Sequence, residues 1–450
     1  MYELIFSAVF PLYEALRRRP MLRYLREYER NQWLSPDKLK ELQARKLRAL
    51  VEHAEREVPH FRAVLKARGL TAADIRGPED LSKLPIMTKE EVRGAYDSFV
   101  ATSHAGKNYR KATGGSTGDP FQFECDLDSE YRRLAVMWRG YRWAGANLGR
   151  RSAYIWSWPY AGKTGWKLLK EKAYQKLFGR TFFSVFDLSD RTLPQFASGL
   201  RKLRPQFMVC YVSGGVAIGE WLLENGQRIP PPRGIITGAE PLHEAQRAVL
   251  EKAFGAPVFN TYGGREFMLM GAECPAHEGL HVSADHLLIE TVDEAGNPVV
   301  GKPGRVLVTD LHNYGMPFLR YANGDLATLE ERTCSCGRGL PLFRSIDGRE
   351  AELVPLPDGR RIPSLYFVHI LKDYGQIRYF QVVQLQLDEF VIQVVPTRRD
   401  LPMTFEYEDK LRADLGAIRV RTEVVEEIPL TKSGKRRVFV SKLARPSTVP

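Results

Sequence analysis

Thr113-Gly114-Gly115-Ser116-Thr117-Gly118-Asp119-Pro120 gathers three glycines and three hydroxyl-bearing side chains into one short stretch. Lys107, Arg110 and Lys111 precede it, and Phe121-Gln122-Phe123 follows with the alternation of a strand. Glycine lets successive N–H groups turn toward one point and form an anion-binding nest, and Ser and Thr hydroxyls add donors for phosphate oxygens. The Gly-Lys-Ser/Thr ending of a Walker A loop is missing. Read alone, such a stretch is more often a flexible loop or the tip of a hairpin. Its meaning therefore rests on what surrounds it.

Downstream, Ala153-Tyr154-Ile155-Trp156, Phe207-Met208-Val209-Cys210-Tyr211, Gly234-Ile235-Ile236-Thr237 and Pro257-Val258-Phe259-Asn260 read as buried strands. Amphipathic segments such as Leu242–Phe254 lie between them. Strands alternating with helices predict an α/β unit with a largely parallel sheet, whose ligands bind beyond the carboxyl ends of the strands. Several of these strand ends carry polar or glycine-rich turns: Tyr211-Val212-Ser213-Gly214-Gly215, Thr237-Gly238-Ala239-Glu240 and Thr261-Tyr262-Gly263-Gly264-Arg265-Glu266.

Upstream the pattern is helical. Ser35-Pro36 supplies a cap and a first-turn proline, and apolar residues recur every three or four positions through Val51. Ile5, Val9, Leu12 and Leu16 share one side of a first helix that ends in Arg17-Arg18-Arg19, so it either packs on the body or lies on a membrane surface. After about residue 285, His286–Glu290 and Gly304–Thr309 flank a turn-rich stretch and predict a hairpin. Beyond Gly348-Arg349, the strands Gln381–Gln384 and Phe390–Val394 and a helix near Phe405–Leu415 predict a small α+β unit.

With 450 residues, two domains are expected. A hydrophobic fraction of 44% with 27% charged residues is that of a soluble globular chain, and no run reaches the roughly 18 apolar residues of a membrane helix. The net charge of +12 suits a polyanionic small molecule such as a nucleotide as well as nucleic acid or anionic lipid. Zinc-finger spacing and aromatic RNA-binding signatures are missing, which argues against nucleic acid. Five cysteines, an odd count, and no export signal predict a reducing cytoplasm.

Taken in order, Thr113–Pro120, Gly238-Ala239-Glu240-Pro241, Tyr262-Gly263-Gly264-Arg265-Glu266, Tyr321-Ala322-Asn323-Gly324-Asp325, Gly348-Arg349 and Pro429-Leu430-Thr431-Lys432-Ser433-Gly434-Lys435 resemble the adenylate-forming superfamily. Within it they are similar to the phenylacetate–CoA ligase branch and its capsule-biosynthesis-type relatives. The resemblance implies a large N-terminal α/β adenylation domain with a helical N-terminus, residues 1–348, and a small mobile α+β domain, residues 349–450.

It also implies a role for each stretch. Thr113, Gly114, Gly115, Ser116, Thr117 and Gly118 would hold the β- and γ-phosphates of ATP. Glu266 would hold Mg²⁺, a hard cation that takes one or two carboxylates beside phosphate oxygens and waters. Asp325 would accept the ribose hydroxyls, and Arg349 would contact the same ribose. Gly238, Ala239 and Glu240 would line the adenine pocket, with Tyr262 stacking on the base and Gly263, Gly264 and Arg265 beside it as further ATP/AMP-binding residues. Lys435 would neutralise charge as the acyl-adenylate forms, and Gly359 would pass the pantetheine arm of CoA.

Three places depart from the superfamily pattern. Phe121 replaces the lysine that often follows the glycine-rich loop, Arg265 replaces a Thr before the Glu, and Glu350-Ala351-Glu352 replaces the acidic pair at the hinge.

Cys274, His277, His281, Cys334 and Cys336 form a further cluster from which a tetrahedral structural zinc set can be drawn. The resemblance selects Cys274, His281, Cys334 and Cys336, with His277 as the rival imidazole and reduced thiols in neighbouring loops as the plain alternative.

The expected activity is an ATP-dependent acid–CoA ligase: acid and ATP give acyl-AMP and pyrophosphate, then CoA displaces AMP. Trp156, Trp158, Tyr160 and Tyr211 suit an aryl or other flat apolar acid, or are core. One alternative passes the acyl group to a carrier protein or an amine. Another is non-enzymatic, a basic protein on membrane or nucleic acid. A homodimer is left open.

Overall fold

Where the sequence supplies a cap, a helix starts. In the computed structural model, Ser35 accepts from the Lys38 amide and Pro36 opens a helix to Glu57, whose Leu39, Leu47, Leu50, Val51 and Ala54 are buried. The structure describes residues 10, 11, 14, 20–113, 121–156, 164–330, 332–349, 353–371, 374, 376–397, 405–429 and 437–443. They fall into two compact units: residues up to 323 with 327–346, and residues 324–326 with those from 347 onward.

The helices of the first unit are α1 (Met21–Asn31), α2 (Pro36–Glu57), α3 (Leu127–Trp143), α4 (Gly165–Leu177), α5 (Leu193–Leu203), α6 (Val212–Glu224) and α7 (Glu244–Phe254), with shorter helical pieces between. Helix α1 lies along α3. Strands β1 (Tyr109–Ala112) and β2 (Gln122–Cys125) make an antiparallel pair.

The main sheet has eleven strands among the described residues. In chain order they are β3 (Ser152–Trp156), β4 (Arg180–Ser184), β5 (Phe207–Tyr211), β6 (Ile235–Gly238), β7 (Val258–Gly264), β8 (Met268–Glu273), β9 (Leu280–Val282), β10 (Leu287–Val292), β11 (Gly304–Asp310), β12 (Tyr321–Glu330) and β13 (Leu342–Arg349). Across the sheet the order is β10-β11-β12-β13-β9-β8-β7-β6-β5-β3-β4.

From β4 through β3, β5 and β6 to β7 the pairing is parallel, as the alternation of strand and helix predicts. Both faces of such a sheet are covered, so its strands read as continuous apolar runs. All of Phe207–Tyr211 is buried, for example. From β7 to β8 and β9 the pairing turns antiparallel, and β10 pairs with β11 as the predicted hairpin.

One expected turn is partly strand, its turn falling at residues 265–267. Tyr262-Gly263-Gly264 extends β7 and pairs with β8 through a register shift, and Asn323-Gly324-Asp325 lies within β12. Glycine-rich composition suggested turns. The demand instead is close backbone approach, since a Cβ on Gly263 would stand 1.9 Å from the Met268 carbonyl oxygen.

The second unit has a short pair, β14 (Leu353–Pro355) with β15 (Arg361–Pro363), helices α8 (Leu365–Leu371) and α9 (Tyr407–Leu415), and a four-stranded sheet. That sheet contains β16 (Ile377–Gln386), β17 (Glu389–Pro396), β18 (Arg419–Val424) and β19 (Phe439–Ser441), in the order β18-β17-β16-β19. Its own core includes Phe367, Phe390, Ile392, Tyr407 and Leu411. The chain is thus mixed α/β with a separate C-terminal α+β unit. No described helix is long and apolar enough to cross a membrane.

Candidate active site

The opening stretch is clasped at its base. Registers Tyr109↔Cys125 and Ala112↔Gln122 bring its two flanks together. The Thr113 amide donates to the Phe121 carbonyl at 2.9 Å, and the Phe121 amide donates back to Thr113 Oγ1 at 3.1 Å. Gly114, Gly115, Ser116, Thr117 and Gly118 lie outside the described residues, as do Trp158, Tyr160, Glu350, Ala351, Glu352 and Lys435.

At the carboxyl end of β6, Gly238 is where a side chain would not fit: a Cβ there would lie 2.8 Å from Thr261 Oγ1. Ala239 follows with φ of +68°, a left-handed conformation that costs a non-glycine residue about 1–2 kcal/mol. Strain of this kind persists where the surroundings over-determine the backbone, commonly at ligand sites. Glu240 then turns back onto the N-terminus of α6. Its carboxylate accepts from the Ser213 amide at 2.7 Å and from Ser213 Oγ at 3.0 Å. The amides left unpaired at a helix start attract an anion, and Glu240 fills that role. Trp156 and Tyr211, at the ends of β3 and β5, meet edge to face with centroids 4.3 Å apart.

Past β7, Glu266 is buried, whereas Arg265 beside it is exposed. The Glu266 carboxylate has Lys89 Nζ at 3.9 Å and the Tyr321 hydroxyl at 3.4 Å. Burial, together with this carboxylate, holds the Tyr321 phenol firmly protonated, so it donates. Lys89 also donates to the Asn323 carbonyl at 3.0 Å, and Asn323 Nδ2 donates to the Tyr262 hydroxyl at 2.8 Å. Tyr262 itself is buried, with its ring edge-on to Phe343. Tyr262 and Glu266, from one short stretch, therefore meet Lys89 and Asn323 from distant parts of the chain.

Lys89 is the residue that sequence reasoning missed. Its signal was legible: Thr88 and Glu91 form a capping box that starts a short helix at Lys89. What the sequence could not show is that Met87 pairs with β12. The Met87 amide donates to the Arg320 carbonyl at 3.1 Å, and the Ala322 amide donates to the Met87 carbonyl at 2.9 Å.

In the second unit, Arg349 Nε stands 3.3 Å from Asp325 Oδ1, so the two expected ribose contacts are an ion pair. Gly359 has φ of +84° in the turn closed by the Leu356 amide donating to the Arg360 carbonyl at 2.9 Å, and the space around its Cα is open.

The cysteine cluster assembles. One ligand atom from each of Cys274, His281, Cys334 and Cys336 lies within 4.8 Å of the others. The Cys274 and Cys334 sulfurs are 3.8 Å apart, the edge of a tetrahedron with metal–sulfur bonds of about 2.3 Å. His281 Nδ1 lies 3.4 Å from the Leu340 carbonyl, which leaves Nε2 facing Cys336 Sγ at 3.2 Å. Burial pushes the His281 pKa down to about 4, so the ring stays in the neutral form a metal requires. His277 instead turns its Nδ1 to Glu273 at 3.2 Å. The residues fit zinc.

Comparison with known proteins follows the same lines. Residues 355–442 match the family described as the CapK C-terminal domain. A phenylacetate–coenzyme A ligase of Thermus thermophilus is 28% identical, over 86% of this chain and 89% of that one. Protein CapK of Staphylococcus aureus is 22% identical over 90% and 89%. Among solved structures, 2-hydroxyisobutyryl-CoA ligase in its postadenylation state superposes with a TM-score of 0.74 at 17% identity, covering 92% of both chains. The chain is thus a relative of proteins named phenylacetate–CoA ligase and CapK, and it has the fold of adenylate-forming CoA ligases.

Proposed function

We propose that this protein activates a carboxylic acid with ATP and transfers the acyl group to the thiol of CoA. In the first step a carboxylate oxygen attacks the α-phosphorus and pyrophosphate leaves. In the second the thiol sulfur attacks the acyl carbon and AMP leaves. The observation that carries this reading is Glu266, a buried carboxylate that, among the described residues, has Lys89 and Tyr321 at long range, beside the carboxyl end of a parallel sheet. It would suit a hard cation that takes carboxylate and phosphate oxygens.

Each side chain then has a task. Glu266 would hold Mg²⁺, which neutralises growing phosphate charge, while Lys89 donates to a phosphate oxygen. Thr113–Gly118 would cradle the triphosphate. Ala239, Gly238 and Tyr262 would border the adenine, Glu240 would fix the strand end through Ser213, and Gly263, Gly264 and Arg265 would set the approach to Glu266. Asp325 and Arg349 would bind ribose hydroxyls, Lys435 would neutralise the charge formed at adenylation, and Gly359 would leave room for CoA. Trp156 and Tyr211 would face a flat apolar acid. We place the small domain from residue 349 onward.

Cys274, His281, Cys334 and Cys336 would hold a structural zinc, since four protein ligands leave no open position. Chelation should then lower the unfolding midpoint and release about one zinc per chain; protein purified without stoichiometric metal would remove this assignment.

ATP–pyrophosphate exchange across a panel of aryl and aliphatic acids tests the activity. Acid-dependent exchange is expected, followed by CoA-dependent release of AMP. Exchange with none of the acids would overturn the reading. The match of residues 355–442 to CapK favours a second acceptor, a carrier protein or an amine. Exchange that proceeds without any CoA-dependent turnover would select it.

A further inference from the structure

Helix α4, Gly-Trp-Lys-Leu-Leu-Lys-Glu-Lys-Ala-Tyr-Gln-Lys-Leu, inverts the usual rule of burial. Gln175 is its buried residue, and Gln175 Nε2 donates to Glu171 Oε1 at 2.6 Å on the inner side. On the opposite side, spaced by three and four positions, Trp166, Leu169, Ala173 and Leu177 are exposed, Trp166 at 75% and Leu169 at 55%. Helix α5 shows the ordinary arrangement, with Leu193, Phe196, Ala197 and Leu200 buried. An outward Trp-Leu-Ala-Leu stripe is costly to hydrate and implies a cover outside the described chain.

The flanking charge says which cover. Lys167, Lys170, Lys172 and Lys176 are exposed around the stripe, and the helix's single acid, Glu171, sits toward the inner side. A second copy docked through this face would set four lysines against four, so like charges would oppose it. An anionic bilayer matches both features. Lysine ammonium groups reach lipid phosphates and carboxylates, while Trp and Leu enter the headgroup–acyl boundary. We propose that α4 is a membrane-surface helix that docks this protein on anionic lipid. Beyond its end, Phe178 takes the Phe10 ring edge-on at 5.2 Å. The docking is independent of the ligase reading.

Co-sedimentation of the full chain with phosphatidylcholine vesicles, with and without about one third phosphatidylserine, tests this. Binding only to the phosphatidylserine vesicles, weakened by salt, is expected. The double variant Trp166→Ser, Leu169→Ser should bind about tenfold more weakly or worse, as should Lys167→Glu, Lys170→Glu, both with the wild-type unfolding midpoint. Wild type that ignores the vesicles overturns the proposal. So does equal binding by the variants, which would assign the contact to the N-terminal segment. A concentration-dependent dimer abolished by Trp166→Ser would assign the face to a second copy instead.

Discussion

Arg133 and Arg139 in α3 and Glu266 beyond β7 are all buried charges of one unit, yet they are held differently. Arg133 Nη2 donates to Asp310 at 2.8 Å, and Arg139 Nη1 donates to Asp285 at 2.7 Å. Around them Tyr28 meets His286 Nδ1 at 3.0 Å, and Lys46 donates to the Asp285 carbonyl at 2.7 Å. This polar centre ties the N-terminal helices to the sheet with short bonds, although Arg133 Nη1 and Asp285 Oδ2 have no hydrogen-bond partner among the described residues. Glu266 has its cation at 3.9 Å and its hydroxyl at 3.4 Å. Short contacts spend a charge on the fold. Long ones leave it available to a ligand.

The largest effect should come from Asp310→Ala, which strands the Arg133 guanidinium in the interior. Breaking one partner of such a pair costs about 3–5 kcal/mol, read from the denaturant midpoint. A shift under about 1 kcal/mol would put Asp310 with the loosely held groups. Next, Glu266→Gln should lower acid-dependent exchange by about 10²-fold or more while leaving that midpoint in place. If stability falls and exchange does not, the comparison is reversed.

A smaller effect separates the two regions by pH. Burial first, then the charges of Arg133, Lys46, Arg132 and Arg139, hold the His286 pKa well below its ordinary value, and burial does the same for His312. An unfolded histidine takes up a proton near pH 6.5, so below that value the unfolded chain binds more protons. Stability should be level above about pH 6.5 and fall below it, by up to about 1.4 kcal/mol per pH unit per histidine. His286→Phe should flatten the slope by about one proton, and an unchanged slope would mean that His286 is protonated in the fold. The smallest change belongs to Lys89→Met: a loss of about tenfold in kcat/KM for ATP, with unfolding unaltered. A loss confined to stability would make Lys89 a structural strut of Glu266.

Much of the fold was legible. The strands at 153–156, 207–211, 234–237 and 257–260 announced themselves because a parallel sheet covered on both faces needs continuous apolar runs. The helix at Ser35-Pro36 was legible because its cap is local chemistry. Gly263 and Gly264 read as turn although they extend a strand, since glycine signals permission and only the neighbouring backbone shows what needs it. The expected zinc ligands could be drawn from the sequence only as a choice between His277 and His281. That choice is geometric: Glu273 engages one ring, and Leu340 orients the other.

Lys89 and the inverted helix α4 mark what pattern reading cannot reach. Residue order alone set the alternating strands and helices, the capped starts, the hydroxyl-and-glycine stretch and the ordered motifs of an acid-activating enzyme. Each of these depends on interactions within a few positions or on a recurring periodicity. Tertiary structure alone decided which cation approaches Glu266, which histidine joins the cysteines and which side of α4 is left uncovered. Those outcomes depend on groups brought together from distant parts of the chain by the sheet, and no local pattern encodes that distance.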